Sequence, residues 1–327
     1  CFRKSDLMHT MSNKFSFILP AYKAKYFHQA INSILNQTYT DFELVIVNDA
    51  SPEDLDSIVD SFDDSRIRYY KNKENIGGGN LVAQWNKCLE YATGDYVILA
   101  SDDDLYFPDY LSKMSTLIDK YPDVNVFRPR VQIIDGNNDV LRVEGYLVEH
   151  ITSLEFMYLL QQRIIYGGIP YYMFRKDALL DIGGFMELPI AWGSDDATVI
   201  ELAKEKGIAS TTEVLFSFRM SGENITTKRN DYISLRRKIK ARDKFYCFQK
   251  SVLENISPMS SLDEIYLDYL NNNMQTAIIR SIYELICDST LAACIRCLPV
   301  LKALPYIKKS WLIVSYTKKI GQTLIYK

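Results

Sequence analysis

Three consecutive acids, Asp102-Asp103-Asp104, follow Ser101 and the apolar stretch Tyr96–Ala100. The apolar stretch predicts a buried strand, and open α/β sheets bind ligands at the C-terminal ends of their strands. Neighbouring carboxylates repel one another unless a cation lies among them, and oxygen ligands suit a hard divalent ion that also contacts phosphate. The cluster therefore indicates a Mg²⁺ or Mn²⁺ site for a nucleotide. The alternative is a solvated turn that caps the helix beginning near Pro108.

A second acidic pair, Asp195-Asp196, follows Trp192-Gly193 and opens a helical pattern that runs to about Lys206. Acids at a helix start are typical caps, because they accept hydrogen bonds from free N–H groups and offset the helix dipole. A different motif, Cys294-Ile295-Arg296-Cys297, has no second ligand pair. We interpret its cysteines as small apolar residues on a helix rather than as a metal or redox site.

Strand-like and helix-like segments alternate through the first hundred residues. Phe15–Leu19 is rich in β-forming residues and is expected to end at Pro20, which cannot continue a central ladder. The predicted elements are strand 15–19, helix 27–35, strand 41–47, helix 55–62, strand 66–70, helix 80–91 and strand 96–100. This alternation predicts an α/β fold with a doubly wound, mostly parallel sheet, whose strand ends line up along one edge.

The pattern is less regular after residue 122 and becomes helical near the end of the chain. Strands over 124–134 and 173–175 and helices over 154–163 and 176–182 are predicted, with a break at Gly183-Gly184. From Tyr232 onward glycines nearly vanish and helical periodicity dominates, so a boundary is predicted near Asn230. The predicted organisation is an N-terminal extension over 1–14, a main domain over 15–230 with halves 15–122 and 123–230, and a helical appendage over 231–327.

The composition bounds the function. The 327 residues are 47% hydrophobic and carry a net charge of −3, which supports a full core and excludes a strongly basic nucleic-acid-binding surface. The first apolar stretch, Phe15–Ala21, is too short for a signal peptide, and no window resembles a membrane span. The cytoplasm is therefore the expected compartment. The six scattered cysteines do not resemble a disulfide framework.

The last segment of the chain, 289–327, is basic and amphipathic. It contains no Asp or Glu, and its basic residues are interleaved with Leu, Ile, Trp and Tyr. Segments of this composition lie on anionic membrane surfaces, where each basic residue contributes about 1 kcal/mol. The alternative is a helical cap whose apolar side packs on the main domain.

Several motifs occur in a fixed order between residues 15 and 110. They are Phe17–Tyr22, Ala30–Tyr39, Asp41–Ser51, Asn75-Ile76-Gly77, Gly94-Asp95-Tyr96 and Ser101–Asp104 followed by Pro108. Together they resemble the inverting family 2 glycosyltransferases of the GT-A fold, which use nucleotide-diphospho-sugars. An ordered set of this kind is more specific than a lone pattern such as Gly77-Gly78-Gly79. The resemblance implies a Rossmann-like nucleotide-binding half in 15–122 and an acceptor half in 123–230.

The resemblance also implies roles for individual residues. Tyr22 corresponds to the aromatic residue that stacks on the base, and Asp49 to the acid that hydrogen-bonds it, a pair that favours uracil or guanine. Asp102 corresponds to the acid that often meets the ribose. The implied nucleotide-binding residues are Pro20, Tyr22, Asp49, Asn75, Asn86 and Asp102. The segment between Asn75 and Asn86 is about three residues longer than the usual family pattern, and its glycines are expected to reshape the pocket.

The metal site implied by the resemblance departs from the family in two places. Asp103 occupies the position of the metal-binding acid, whereas Ser101 stands where many members carry the first acid of the motif. Either Asp104 or the diphosphate and waters then complete the shell of Mg²⁺ or Mn²⁺. Phe218-Arg219-Met220-Ser221 lacks the His that many relatives have after a Tyr-Arg pair. Arg219 is a candidate contact for the diphosphate instead.

In relatives, an acid at the position of Asp195-Asp196 is the catalytic base. Counting back from Glu201-Leu202-Ala203 favours Asp195 over Asp196, and the other acid is then a helix cap. The implied function is sugar transfer from a nucleotide-diphospho-sugar, with UDP favoured, to a hydroxyl of a glycan or lipid-linked acceptor in cell-surface polysaccharide synthesis. The basic tail suggests a peripheral enzyme at the inner face of the membrane.

Two other classes of protein are alternatives to this function. A degenerate, non-catalytic protein that binds a nucleotide sugar or a partner enzyme fits the departures at Ser101 and after Arg219. A sugar-nucleotide pyrophosphorylase would carry a Gly-rich run with Arg and Lys after the first strand. This chain has Pro20-Ala21-Tyr22-Lys23 there, which speaks against that class.

Overall fold

The computed structural model describes residues 14–220 and 231–325, so the predicted extension, apart from residue 14, and the predicted boundary near Asn230 lie outside the described residues. The strands are β1 (Phe15–Ala21), β2 (Phe42–Asn48), β3 (Ile67–Lys71), β4 (Tyr96–Leu99), β5 (Leu105–Tyr106), β6 (Val126–Ile134), β7 (Val140–Val143), β8 (His150–Ile151), β9 (Met173–Arg175) and β10 (Ile208–Arg219). The helices are α1 (Phe27–Leu35), α2 (Leu55–Asp60), α3 (Leu81–Leu89), α4 (Tyr110–Lys120), α5 (Ser153–Gln161), α6 (Lys176–Asp181), α7 (Ser194–Ala203), α8 (Tyr232–Asn255), α9 (Ser261–Cys287), α10 (Leu291–Ala303) and α11 (Lys309–Ile325).

The strands form a single mixed sheet with the main order β3-β2-β1-β4-β9-β6-β10-β5. The first four strands in this order are parallel, and β6 and β10 are parallel to each other, whereas β9 is antiparallel to both of its neighbours. The predicted α/β fold with a mostly parallel sheet is therefore confirmed. Because β1, β2 and β4 are adjacent and parallel, the residues that follow them lie at one edge of the sheet.

Pro20 does not end the first strand as predicted, because β1 continues to Ala21. Pro20 pairs in register with Val47 of β2, while the pairing with β4 ends at Ile18 and Leu99. The Ile18 carbonyl accepts from Ala100 N, and backbone groups two residues apart point to the same side of a strand. The backbone nitrogen of Pro20 therefore points to the β4 side of the strand, beyond the last residue that pairs with β4. Its missing N–H removes no hydrogen bond between these strands.

The longest strand, β10, was not predicted. Its first half contains Ser210, Thr211 and Thr212, and the register against β6 shifts between Ser210 and Val214 and again before Phe216. These irregularities remove the simple alternation of apolar and polar residues by which strands are recognised. Its last residue, Arg219, reaches the edge of the sheet where β1 and β4 also end.

The C-terminal helices form a second apolar core. Residues of α8, α9, α10 and α11 pack together there, among them Ile239, Ile282, Leu301 and Leu312. Cys294 and Cys297 are fully buried in this core, as expected for small apolar residues on a helix. Of the helices in 14–220 and 231–325, none is long and apolar enough to cross a membrane.

Candidate functional site

Hydrogen bonds join the ends of β1, β2 and β4. The backbone N–H groups of Tyr22 and Lys23 both donate to Asp102 Oδ2, at 3.0 and 2.8 Å. Ser51, which follows β2, donates its hydroxyl to the Tyr22 carbonyl at 2.6 Å. The segments that the sequence motifs singled out therefore meet in space. Tyr22 is 39% exposed at this edge, and an exposed aromatic side chain can stack on a planar ligand.

Asp49 is buried and organises the loop that follows β3. Its oxygens accept hydrogen bonds from the backbone N–H groups of Ile76 at 2.9 Å and Gly77 at 2.7 Å. A Cβ atom on Gly77 would lie only 2.8 Å from Asp49 Oδ2, so this close approach requires glycine. Asn75 accepts from Gly78 N at 2.6 Å and stabilises the same turn. Asp49 thus positions the Asn75 loop beside the edge of the sheet.

Asn86 lies on α3 and clamps a distant loop. Its side-chain oxygen accepts from Phe185 N at 2.8 Å, and its amide nitrogen donates to the Phe185 carbonyl at 3.2 Å. Gly184, with φ +92°, leaves room for this contact, because a Cβ there would lie 2.5 Å from Asn86 Oδ1. Asn86 therefore connects α3 to the segment before α7, and its nucleotide contact stays a prediction.

The three acids after β4 have different surroundings. Burial raises the pKa of Asp102 to about 6, although the two backbone donors lower it. Burial also raises the pKa of Asp103, which the charge of Lys23 opposes. Asp104 is only 1% exposed and is bonded to Ser101 Oγ and to the backbone, and burial and repulsion from Asp103 raise its pKa well above the usual value. Asp104 therefore lies beneath the other two.

Arg219 is part of the scaffold of this turn rather than an exposed diphosphate contact, which corrects the sequence-based expectation. Its side chain is fully buried, and its backbone N–H donates to Asp104 Oδ1 at 2.8 Å. The guanidinium donates to four oxygens, which are the carbonyls of Asp103 and Asp135 and the side-chain oxygens of Gln29 and Asn138. A buried guanidinium bonded in this way fixes the backbone around the acids.

Asp195 and Asp196 lie in the first turn of α7, behind Gly193, whose φ is +86°. Asp195 Oδ1 accepts from Asp196 N at 2.9 Å. Burial raises the pKa of both carboxyls, repulsion from Asp195 adds to the rise at Asp196, and the charge of Arg242 opposes both. Buried acids with raised pKa values are candidates for proton transfer near neutral pH.

Helix α8 supports the segment that carries these acids. Phe245 packs where a Cβ on Gly193 would be, with ring atoms 3.3 and 3.4 Å away. The Trp192 ring lies 4.3 Å from Lys238 Nζ and 5.4 Å from the Arg242 guanidinium. These are cation–π distances, and they tie the helical C-terminal region to the start of α7. Neither Arg242 nor the other residues of α8 were predicted to contribute, because their contacts are remote in sequence.

Tyr171 lies near both groups of acids. Burial raises the pKa of its hydroxyl well above the usual value, and the charges of Asp104, Glu144 and Asp195 raise it further. Charge repulsion of this kind weakens with distance, so one acid of the turn after β4 and one at the start of α7 each lie close enough to Tyr171 for their charge to act on its hydroxyl.

The acids after β4 fit a divalent cation in part. Burial raises the pKa of Asp103 and of Asp104, and repulsion from Asp103 raises the pKa of Asp104 further, a crowding that a cation would relieve. In the part of the chain that the structure describes, no group of three or more His, Cys, Asp and Glu side chains could hold a metal ion. Mg²⁺ commonly takes only one or two carboxylates and completes its shell with phosphate oxygens and water.

The basic segment 289–325 packs against the rest of the helical region. Four of its apolar side chains enter the second core, which are Cys294, Cys297, Leu301 and Leu312. They pack with the other C-terminal helices, whereas the alternative interpretation placed the apolar side of this segment on the main domain. Five of its basic residues are exposed, which are Arg296, Lys302, Lys308, Lys309 and Lys318. The apolar face is therefore largely used for packing, and the charge is what remains on the surface.

Comparison with known sequences identifies relatives of the main domain. A family model described as glycosyl transferase family 2 matches residues 16–183, just over half of the chain. An uncharacterized glycosyltransferase of Rickettsia bellii is 32% identical over 151 residues, which is 45% of this chain and 20% of that protein. The putative glycosyltransferase EpsE of Bacillus subtilis is 34% identical over 110 residues, 33% of this chain and 38% of that protein. The chain thus spans less than half the length of these curated relatives.

Solved structures share the architecture over nearly the whole chain. Residues 1–349 of S. aureus TarS in complex with UDP-GlcNAc give a TM-score of 0.64 at 17% identity, with 96% of this chain and 92% of that chain covered. The mannosyltransferase PcManGT from Pyrobaculum calidifontis, in complex with GDP-Man and Mn²⁺, gives 0.54 at 15% identity, with 95% and 88% covered. At these identities the likeness concerns the fold alone, and it includes the helical C-terminal region.

Proposed function

The chain belongs to glycosyl transferase family 2 and has the GT-A fold, and we propose that it moves a sugar from a nucleotide-diphospho-sugar to a hydroxyl of a glycan or lipid-linked acceptor, with inversion. The observation that carries the proposal is the meeting of three strand ends, in which the backbone of Tyr22 and Lys23 bonds the Asp102 carboxylate. Family membership supports sugar transfer as the reaction.

The donor site lies along these strand ends. Tyr22 follows Pro20 at the end of β1, and its exposed ring stacks on the nucleotide base. Asp49 and Asn75 hold the loop through Gly77 and Gly78 beside that base. Asp102 contacts the ribose. UDP is the preferred nucleotide, and GDP is the other one that an acid beside the base would accept. TarS and PcManGT are described with UDP-GlcNAc and GDP-Man, which supports a nucleotide-sugar donor here.

Asp103 is the principal residue that would hold Mg²⁺ or Mn²⁺, with Asp104 supporting it from below. When bound there, the ion would neutralise charge on the diphosphate leaving group. The Mn²⁺ in the PcManGT complex supports this assignment by analogy of fold. Lys23, whose charge acts on Asp103, adds a fixed positive charge at the same edge of the sheet.

Asp195 serves as the general base. It takes the proton of the acceptor hydroxyl while the hydroxyl oxygen bonds to the anomeric carbon from the face opposite the diphosphate. The bond from the anomeric carbon to the phosphate oxygen breaks at the same time, and the nucleoside diphosphate leaves with that electron pair. The raised pKa of the buried Asp195 carboxyl makes it a stronger base than an exposed aspartate.

The proposed setting is cell-surface polysaccharide synthesis at the cytoplasmic face of the membrane. The exposed lysines of the C-terminal segment would provide electrostatic attraction to anionic lipids. Because most of the apolar face of that segment is buried, the attraction would rest on charge rather than on insertion.

Calorimetry and turnover together test the proposed function. UDP, GDP, UDP-GlcNAc and GDP-mannose are titrated with Mn²⁺ or Mg²⁺ and again with EDTA, and release of the nucleoside diphosphate is then followed. The proposed enzymatic function would be supported if one nucleotide bound, if EDTA abolished that binding, and if the corresponding nucleotide sugar slowly released its nucleoside diphosphate. Binding without any turnover would favour the degenerate binding protein, and no binding would contradict both.

A further inference from the structure

A cavity of about 610 Å³ lies between the main domain and the helical C-terminal region. The end of α5 and the loop through Gly167 form one wall, and α8 and α9 form the other. Asp196, in the first turn of α7, reaches the cavity from the side of the acidic pair. Small-molecule sites usually measure about 300 to 1,000 Å³, so the space suits one or two sugar units.

Two residues that line this cavity, Asp196 and Arg242, each carry a buried polar atom that is unsatisfied. Asp196 Oδ1 and Arg242 Nε are buried, and neither has a hydrogen-bond partner among residues 14–220 and 231–325. Leaving such groups unpaired costs free energy. An alcohol satisfies both at once, because its O–H donates to the carboxylate and its oxygen accepts from the guanidinium.

The remaining lining combines aromatic rings with side-chain amides. Tyr166, Phe245 and Tyr269 contribute rings, and Gln161, Gln249 and Asn273 contribute amides. Rings can pack on the C–H faces of a sugar, and amides can both donate to and accept from its hydroxyls. A purely structural gap between two domains has no need of this combination.

The cavity adjoins the proposed general base. Asp196 lines it, and Asp195 precedes Asp196 in the first turn of α7. We propose that this cavity is the acceptor site and holds a sugar or polyol unit, one hydroxyl of which lies between Asp196 Oδ1 and Arg242 Nε. Asp195, beside Asp196 in the first turn of α7, would take the proton of a neighbouring hydroxyl. This inference rests on the proposed function and assigns a part of the acceptor site to α8 and α9.

The test uses the full chain and compares two substitutions on α9. Ala277→Phe fills the cavity, whereas Asn271→Phe adds the same ring on an exposed face of the helix outside the cavity. Glycerol and the methyl β-glycosides of glucose, galactose, mannose and N-acetylglucosamine are the acceptor probes. Nucleoside diphosphate release is measured with and without each probe, and donor binding is measured by calorimetry.

We expect at least one probe to accelerate release by the wild type and by Asn271→Phe. In Ala277→Phe, the ratio of the rate with the probe to the rate without it should fall about tenfold, while donor affinity shows that the chain is folded. Arg242→Lys keeps the charge but loses the directed Nε–H, and should raise the KM for that probe about tenfold or more.

Two results would overturn the acceptor site. One is a wild type that turns over its donor but responds to none of the probes, and the other is an Ala277→Phe variant that keeps the full acceleration. A wild type that neither binds nor turns over any donor would instead refute the proposed function, and the acceptor site with it. The donor measurements therefore separate the two failures.

Discussion

Arg219 donates its backbone N–H to the Asp104 carboxylate at 2.8 Å, across 115 positions of sequence. Its guanidinium also donates to the Asp103 carbonyl at 2.7 Å. The C-terminal end of β10 is thus bonded directly to the acidic turn after β4. The acids that we propose to face the donor are therefore positioned by a residue more than 100 positions away in the sequence.

Arg219→Lys should weaken donor binding and stability together. A lysine ammonium cannot reproduce the fork of donors that reaches the carbonyls of Asp103 and Asp135, so buried acceptors are left unpaired. We expect a loss of about 2 to 4 kcal/mol in the free energy of unfolding and a donor affinity at least several-fold weaker. Thermal melts and calorimetry measure both. The control is Arg237→Lys, on an exposed part of α8, and equal behaviour of the two variants would contradict the scaffold role.

Local pattern predicted the parts of the site that depend on chain order. Alternation of strands and helices placed the ends of β1, β2 and β4 together, so the meeting of Tyr22 with Asp102 could be expected from sequence. The surroundings of Asp104 and Asp196 could not be predicted from sequence, because they come from elements far away in the chain. Arg219 of β10 hydrogen-bonds Asp104, and the charge of Arg242 of α8 acts on Asp196. The strand β10 was missed since its irregular register hides the alternation of a strand.

A comparison of Asp103→Asn with Asp104→Asn should distinguish the residue proposed to contact the metal ion from the buried residue that supports it. Asn at 103 removes the charge that would face the cation, so Mn²⁺-dependent donor binding should fall about tenfold or more. Asp104 is buried with a raised pKa, so its neutral replacement should cost much less affinity. Calorimetry with Mn²⁺ and with EDTA compares the two. Equal losses, or unchanged binding at 103, would count against the assignment of Asp103.

Asp195→Asn should stop transfer while donor binding persists. An amide keeps the shape of the side chain but cannot take a proton, and general-base help is worth about 10² to 10⁴-fold in rate. Asp196→Asn should instead raise the KM for an acceptor more than it lowers kcat, because this residue is proposed to bind rather than to react. The rate of nucleoside diphosphate release with an accepted probe tests both. A fully active Asp195→Asn enzyme would remove this residue from the mechanism.

The exposed lysines of the C-terminal segment should control membrane binding if the proposed setting holds. Replacing four of them by Gln should reduce binding to vesicles that contain anionic lipid by at least tenfold, since each contributes about 1 kcal/mol. The residues are Lys302, Lys308, Lys309 and Lys318. Flotation at low and high salt measures the effect.

A charge-matched control distinguishes the effect of this segment from the effect of the net charge of the protein. Four other exposed lysines are replaced by Gln in the same way, which are Lys73, Lys206, Lys240 and Lys244. This control should still float with anionic vesicles. Failure of the wild type to float, or equal losses in both variants, would contradict a membrane role for the segment.

Glu43, near the start of β2, connects this strand to β1, to β3 and to the loop between α3 and β4. It accepts from Ser16 Oγ at 2.7 Å, from Arg68 Nη1 at 2.6 Å, and from the backbone N and side-chain hydroxyl of Thr93 at 2.6 and 2.8 Å. Burial raises the pKa of this carboxyl, but the four hydrogen bonds outweigh burial and lower the pKa to about 2.

Glu43→Gln should therefore lower stability at neutral pH and have less effect in acid. A pKa lowered in the folded state means that the folded protein binds the proton less well than the unfolded chain does. The stabilisation is then present above pH 4.5 and is lost as the pH falls towards 2. A shift of this size corresponds to about 3 kcal/mol. Thermal melts between pH 7 and pH 3 should show the Tm difference from the wild type shrinking, whereas the exposed Glu205→Gln changes little at any pH. A difference that stays constant with pH would mean that packing, and not the ionised carboxylate, is what Glu43 contributes.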